Sequence, residues 1–475
     1  MKYRNTKSSN HQIGSSGKRP GKRQTHPDAA GIDIGSEVHY VSVAEDRDQK
    51  PVRTFGCLTP DLHDMAQWLV SCGIKTVAME STGVYWIPVA QVLDQYNLEV
   101  KIVDASHLKN VPRRKTDVAD CRWLQELHEG GYLQGAFRPS KEIQALRTYW
   151  RCRQSLVEQS ARQIQLMQKS MEQMNVQLHK VISDITGVSG MRIIRQIVAG
   201  NRNPAILAEL ADRQIKSSKE TIAKALTGDY HEHHLFTLRQ AVELYDTFGQ
   251  KIADCDKAIE NYMKTLEPKP PKPQTAENSK APDDKQKRTK RKSKAKPRKN
   301  QVHFDLKSEL IRLNGVDLTT IDGIDTLTAQ TILTECGTDV DAFPTEKHFA
   351  SWLGLCPNNR ITGGKVKRTK TRKVQNRLAT ALRIAAQSLC RSQSALGAFY
   401  RRLHSRLGPP KAITAAAHKL ACLVYRLLKY GQDYVDKGQA HYEKKYQERL
   451  VHNLKRNAKR LGFQLMETLS GELVS

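Results

Sequence analysis

Four carboxylates, Asp33, Glu80, Asp117 and Asp120, stand out in a 475-residue chain whose formal charge is +28. A strongly basic chain has no electrostatic reason to gather acids unless a cation lies among them. A hard divalent ion, Mg²⁺ or Mn²⁺, shared between carboxylate and phosphate oxygens meets that need. The expected chemistry is the cutting or joining of nucleic acid. Each acid also has a plainer reading: Asp33 as a satisfied polar residue at a strand end, and Asp117 as a first-turn acid favoured by the helix dipole behind an N-capping Thr116. It is the set, in this order, that carries the metal reading. A second candidate lies far along the chain, in Asn358 to Lys373. There the hydroxyl of Thr362 stands beside Gly363 and Gly364 among the cations Arg360, Lys365, Lys367 and Arg368. A hydroxyl with close backbone access and neutralising charge can attack a phosphodiester, although the same loop also reads as a turn on a basic surface. Arg113, Arg114 and Lys115 before Asp117, and Lys370 and Arg372 after Thr362, complete the expected nucleic-acid contacts.

The elements that must position these residues follow from periodicity. Gly31 to Val43 reads as a strand and hairpin, with Asp33 inside the first strand. Thr76 to Met79 forms a buried strand ending at Glu80, the end at which open α/β sheets place ligands. A helix pattern runs from Val84 to Leu93 and another strand from Leu98 to Val103. A basic loop then leads into a helix beginning at Thr116-Asp117, on which the i, i+3 spacing sets Asp117 and Asp120 on one face.

This order of elements resembles the ribonuclease-H-like fold of RuvC-type junction resolvases, and more closely the DEDD transposases of bacterial insertion sequences, in which that domain comes first. The resemblance extends over all but the front tail and the charged linker. In that family the C-terminal domain carries a similar Gly-Leu-x-Pro followed by a Ser-Gly loop, and the serine is understood to link covalently to DNA. Thr362 falls at that serine, keeping the hydroxyl but adding a methyl group that restricts χ1. The resemblance further implies a homo-oligomer, dimer or tetramer, with composite sites and an element-encoded guide RNA that selects donor and target DNA.

Charge is unevenly placed: +6 on residues 1–28 and +10 on residues 264–300, leaving +12 for the remainder. The second segment is Pro-rich, then Lys/Arg-rich, and reads as a linker acting as a sequence-independent phosphate tether. Between the two, Ile143, Leu146, Trp150, Arg153, Val157, Ser160, Ile164, Met167, Met171, Met174, Leu178 and Val181 follow a heptad seam, with Arg153 and Ser160 as polar faults. Its partner is expected to be either a second run, from Leu235 through Asp256 to Met263, folding back as an antiparallel hairpin, or the same helix of another subunit. The three methionines suit an adaptable interface or plain core packing. His231, His233 and His234 are too close in sequence to face one ion together. Leu318 to Cys336, turning at Gly323, resembles a helix-hairpin-helix unit, a phosphate-approaching turn or an ordinary helix corner.

The nine cysteines are scattered without a CxxC pair, so reduced thiols in a cytoplasm, with the protein nucleoid-associated, are expected. No stretch approaches the ~20 apolar residues of a membrane span. The expected organisation is α/β plus all-α: a basic tail (1–28), a RuvC-like domain (29–138), a helical, coiled-coil region (139–265), a basic linker (266–303), a helical transposase domain (304–438) and a basic helical tail (439–475). The expected function is a transposase that cuts and rejoins DNA. Its nearest rival is a junction-resolving nuclease using water. An actin-like ATPase or sugar kinase would need further phosphate and adenosine loops that the sequence does not offer, and a non-catalytic binding scaffold would leave the acids unexplained.

Overall fold

The computed structural model describes residues 25–81, 83–103, 116–271, 300–431 and 438–464. Most of the basic N-terminal tail, the loop carrying Arg113, Arg114 and Lys115, and most of the charged linker lie outside these described residues. The chain forms two compact units divided between Arg138 and Pro139.

The first unit is built on a five-stranded sheet of β1 (Ala29–Ile34), β2 (Val38–Ser42), β3 (Val52–Gly56), β4 (Thr76–Glu80) and β5 (Glu99–Val103), in spatial order β3-β2-β1-β4-β5. β1 pairs antiparallel with β2 and parallel with β4, which pairs parallel with β5. Two antiparallel hairpin connections followed by helical crossovers give the ribonuclease-H-like order. Helices α1 (Thr59–Ser71) and α2 (Trp86–Gln95) supply Met65, Leu69, Val89 and Leu93 to a core shared with Ile32, Val41, Val77 and Met79 from one sheet face. The opposite face presents Ala78 and Val103 to Leu124 of α3 (Asp117–Glu129). α2 begins two residues after the start of the apolar pattern, behind a turn at Gly83, which takes a left-handed φ of 53°.

The second unit is helical. α4 (Lys141–Gln173) and α9 (Glu232–Thr265) form a long antiparallel pair. Between them in sequence lie α5 (Leu178–Val181), α6 (Val188–Val198), α7 (Pro204–Glu209) and α8 (Lys219–Leu226). The seam expected to continue to Val181 on one helix stops at Gln173, because Asn175 takes a left-handed φ of 56° and turns the chain. Met167, Met171 and Met174 are fully buried with Ile193, Ile194, Leu226 and Leu238. They are core residues of this subdomain, not a free adaptable surface. Of the two partners considered for the seam, the described structure uses the second run of the same chain.

The polar faults of the seam meet each other. Arg153, 3% exposed, is paired through Nε with Asp256, 1% exposed. The guanidinium also donates to the Asn300 carbonyl at 3.1 Å, and Asp256 Oδ2 lies 2.8 Å from His303 Nδ1. Two buried opposite charges in one seam fix its register, since a slip by one turn would leave each uncompensated.

The C-terminal helices are α10 (Leu306–Asn314), α11 (Thr326–Cys336), α12 (Glu346–Trp352), α13 (Arg377–Ser388), α14 (Ala395–Leu407), α15 (Pro409–Tyr430) and α16 (Gly438–Arg460), with a small hairpin of β6 (Arg360–Thr362) and β7 (Lys365–Arg368). Arg147 of α4 donates to the carbonyls of Thr334 and Glu335 at 2.9 and 2.8 Å, closing the C-terminal end of α11 as cations at helix ends do. The Gly323 turn between α10 and α11 is a packed helix corner. A Cβ there would sit 3.1 Å from the Ala385 carbonyl and the Leu389 side chain, and Asp322 accepts from Ser392 Oγ at 2.7 Å. Both ends of the charged linker are held by this unit, Lys269 by Arg312 and Thr338 and Asn300 by Arg153.

Candidate active site

Asp33 lies on β1 with alternation deciding which way it faces. Gly31, two residues earlier and so on the same sheet face, supports α3 so closely that a Cβ there would sit 2.3 Å from the Cys121 carbonyl oxygen and 2.4 Å from the Gln125 nitrogen. Asp33 therefore emerges on the α3 side. On the neighbouring parallel strand Ile32 pairs with Met79, so the next rung sets Asp33 beside Glu80. Glu80 shares its face with Ala78, which packs on Leu124 of α3. The two acids thus occupy adjacent strands, on one face, at the carboxyl ends.

Helix α3 brings the other two. Its C-terminal half lies over the start of β4, where His128 Nε2 is 2.8 Å from Thr76 Oγ1. Its middle crosses Gly31, and Val118 near its start reaches the groove lined by Tyr40, the β2 partner of Asp33. From β4 the helix passes back across β1 toward β2, so its first turn, with Asp117 and Asp120, lies on the sheet face from which Asp33 emerges. Thr116 caps it, its Oγ1 accepting from Ala119 N at 3.2 Å, as the sequence predicts. Cys121, Leu124, Gln125 and His128 form the buried stripe, and Asp117 continues that stripe one turn toward the N-terminus.

The electrostatics agree with this placement. Burial, with a smaller contribution from the Asp33 carboxylate, pushes the Cys121 thiol up to about 11. His128 is forced down to about 4, chiefly by burial and also by Lys101 and His26.

Asp33 and Glu80 at the strand ends and Asp117 and Asp120 at the start of α3 offer oxygen donors of the kind that would suit Mg²⁺ or Mn²⁺. Among the described residues, no three His, Cys, Asp or Glu side chains already stand as a metal-holding group. An open groove of about 900 Å³ runs over Tyr40, Val52 and Thr54 to Lys50, with Val118 as a wall. The sequence pattern placed Tyr40 on the alternating strand without singling it out. The signal was its position opposite Asp33, visible only once the register of β1 and β2 is known.

Thr362 is carried by the second unit. It closes β6 and pairs with Lys365 across Gly363 and Gly364, whose φ values of 54° and 73° make the two-residue reversal that favours strand twist in hairpins. Thr362 is exposed, as are Lys365, Lys367, Arg368 and Lys370. Pairing continues through Asn358 N to Lys370 O at 3.1 Å and a Pro357–Thr371 bridge, so the expected loop is a basic β-ribbon. Arg360 opens β6. Arg372 donates to the Ser351 carbonyl at 2.8 Å and ties the ribbon to the end of α12. A strand position suits the β-branched threonine better than a flexible loop would.

Comparison with known families falls on both regions. Residues 30–176 match the profile of a DEDD transposase of the IS110 type, described as a transposase. Residues 317–401, which include Thr362, match the family described as transposase IS116/IS110/IS902. No curated protein matches the chain. With the sheet order, the acid-bearing strand ends and the hydroxyl-bearing ribbon lying within these two matches, the chain belongs to the IS110-type family of insertion-sequence transposases.

Proposed function

We propose that this transposase cuts and rejoins DNA at the ends of its own insertion element and at target sites, with Asp33, Glu80, Asp117 and Asp120 as ligands for Mg²⁺ or Mn²⁺ and Thr362 as the nucleophile. What supports the reading is the parallel pairing of β1 with β4, which bear Asp33 and Glu80 at their carboxyl ends, and the packing on Gly31 of α3, whose first turn bears Asp117 and Asp120. A divalent ion bound there supplies Lewis-acid stabilisation of negative charge at the scissile phosphate. The Thr362 hydroxyl oxygen forms a bond to phosphorus as the bond to the leaving sugar oxygen breaks, and the hydroxyl proton passes to solvent. The phosphodiester energy is kept in the protein–DNA link for rejoining. Lys365, Lys367, Arg368 and Lys370, with Arg360, hold the strand's phosphates along the ribbon, and Arg113, Arg114 and Lys115 do the same before α3. Guidance by an element-encoded RNA and assembly as a dimer or tetramer rest on the family resemblance, and the +28 charge accommodates a second polyanion.

The test is to incubate purified protein with Mg²⁺, labelled element-end DNA and RNA transcribed from the flanking non-coding sequence, and to seek an adduct that survives denaturation. Wild type and Thr362→Ser are expected to form it, Thr362→Ala to form none, and Asp33→Asn to fall at least ~10²-fold while still binding DNA. Cleavage by Thr362→Ala at the wild-type rate without any adduct would instead make this a water-using junction nuclease. Unchanged strand exchange in Asp33→Asn would remove the metal role altogether.

A further inference from the structure

Two thiols outside the catalytic machinery face each other across the long helical pair. Cys152 of α4 and Cys255 of α9 have their sulfurs 4.0 Å apart, Cys152 exposed and Cys255 half-buried. The neighbouring rung is the buried Arg153–Asp256 pair. About one turn along α4 and two along α9 the rings of Tyr149 and Tyr262 lie 5.6 Å apart. Contacts on these rungs keep the two helices from sliding, so the thiols stay opposed. Neither side chain is branched, and the sulfurs already stand at van der Waals contact, so χ rotation with slight adjustment of the helices would bring them to the roughly 2.05 Å of a disulfide bond.

We propose that Cys152 and Cys255 are a peroxide-responsive dithiol that closes to an intramolecular disulfide and staples α4 to α9. The exposed Cys152 thiol reacts first: its sulfur attacks one peroxide oxygen, the O–O bond breaks, and sulfenic acid and water result. The Cys255 sulfur then attacks the Cys152 sulfur. The S–S bond forms, the S–O bond breaks, and hydroxide leaves with the Cys255 proton as a second water. The two thiols lose two electrons and hydrogen peroxide gains them. Burial and the adjacent Cys152 push the Cys255 thiol up to about 11, which, with its lower exposure, disfavours Cys255 as the first attacker. A cytoplasm keeps the pair reduced at rest, and disulfides that do form there are transient and oxidant-linked. The closed ring would enclose α5 to α8 and the far arms of both long helices, constraining the unfolded chain.

The test uses the full-length protein, treated with a small excess of hydrogen peroxide, quenched, alkylated and digested. The expected result is a linked Cys152–Cys255 peptide pair and an intact mass lower by two hydrogens, both reversed by dithiothreitol, with the Tm of the oxidised form raised by about 5 °C. Cys152→Ser and Cys255→Ser should each lose the mass change and the Tm gain, whereas Cys57→Ser with Cys390→Ser should keep both. Recovery of Cys152 and Cys255 as alkylated thiols, as separate sulfinic acids or as links between two chains overturns the proposal. The peptide assignment on wild type decides it even where a serine variant folds poorly.

Discussion

Gly31 is the residue on which the approach of α3 to the sheet depends. Any side chain there meets the backbone of Cys121 and Gln125, and backbone cannot rotate away as a flexible side chain can. Gly31→Ala is therefore expected to lower stability by about 1–3 kcal/mol and to shift Asp117 and Asp120 relative to Asp33, abolishing strand cleavage. Denaturant melts and cleavage assays on the same preparation check this, and a variant with unchanged midpoint and activity would contradict it. His128 offers a second test. Its folded-state value of about 4 lies below the ordinary 6.5, so between these values the unfolded chain binds the proton more readily. The stability that the neutral, buried ring contributes is present above pH 6.5 and is lost as pH falls toward 4, by an amount on the order of 2 kcal/mol. Urea midpoints at pH 7 and pH 5 should differ in wild type, and that difference should shrink in His128→Gln. At this scale the sequence offered Asp33, Glu80, Asp117, Asp120 and Thr362 as candidates from residue type and order. Residue type alone could not show which faces Tyr40 and His128 would occupy, because that depends on pairing between distant strands.

Among elements, the long helical pair shows how far periodicity reaches. The heptad spacing located α4 and α9 and marked Arg153 as a fault, and Asp256 stood in the second run. Only the antiparallel packing revealed that each fault answers the other. Removing one partner leaves a buried uncompensated charge, so Asp256→Ala is expected to cost about 3–5 kcal/mol, whereas replacing both, Arg153→Met with Asp256→Leu, should restore most of it. Thermal and urea unfolding of the two variants separates these outcomes, and equal losses in both would show that the pair's charge is not what matters. Periodicity failed at Asn175, where a left-handed residue ended the helix although Leu178 and Val181 kept the seam's spacing. Those residues retained apolar character because they pack into the subdomain core that includes Met174. The loop expected around Thr362 became a ribbon for a related reason: Gly363-Gly364 is a hairpin signal, and the surrounding lysines obscured the alternation.

For the whole molecule, the balance of +28 sets how it meets a polyanion. Each phosphate contact made by a lysine or arginine releases condensed counterions, so DNA affinity should fall steeply with salt. Replacing residues 272–299 by an uncharged Gly/Ser stretch of equal length should weaken binding across all sequences and flatten the slope of log K against log salt. Fluorescence anisotropy at several salt concentrations measures both, and an unchanged slope would deny the segment any phosphate contact. Equal length matters because Lys269 and Asn300 at its ends are both held by the helical unit. Among the described residues, no helix is long and apolar enough to cross a membrane.

The sequence by itself determined the class of the protein: an α/β sheet followed by helices, in the order of the transposase family it belongs to. Those features are local, since strand alternation, helical periodicity and turn residues act over a few positions. Tertiary structure decided that β1 and β4 run side by side, that α3 lies across them on Gly31, that Arg153 answers Asp256 and that two cysteines oppose each other. Each of these joins residues distant in the chain, and the packing of backbone against backbone that fixes them leaves no mark on residue type except at a glycine.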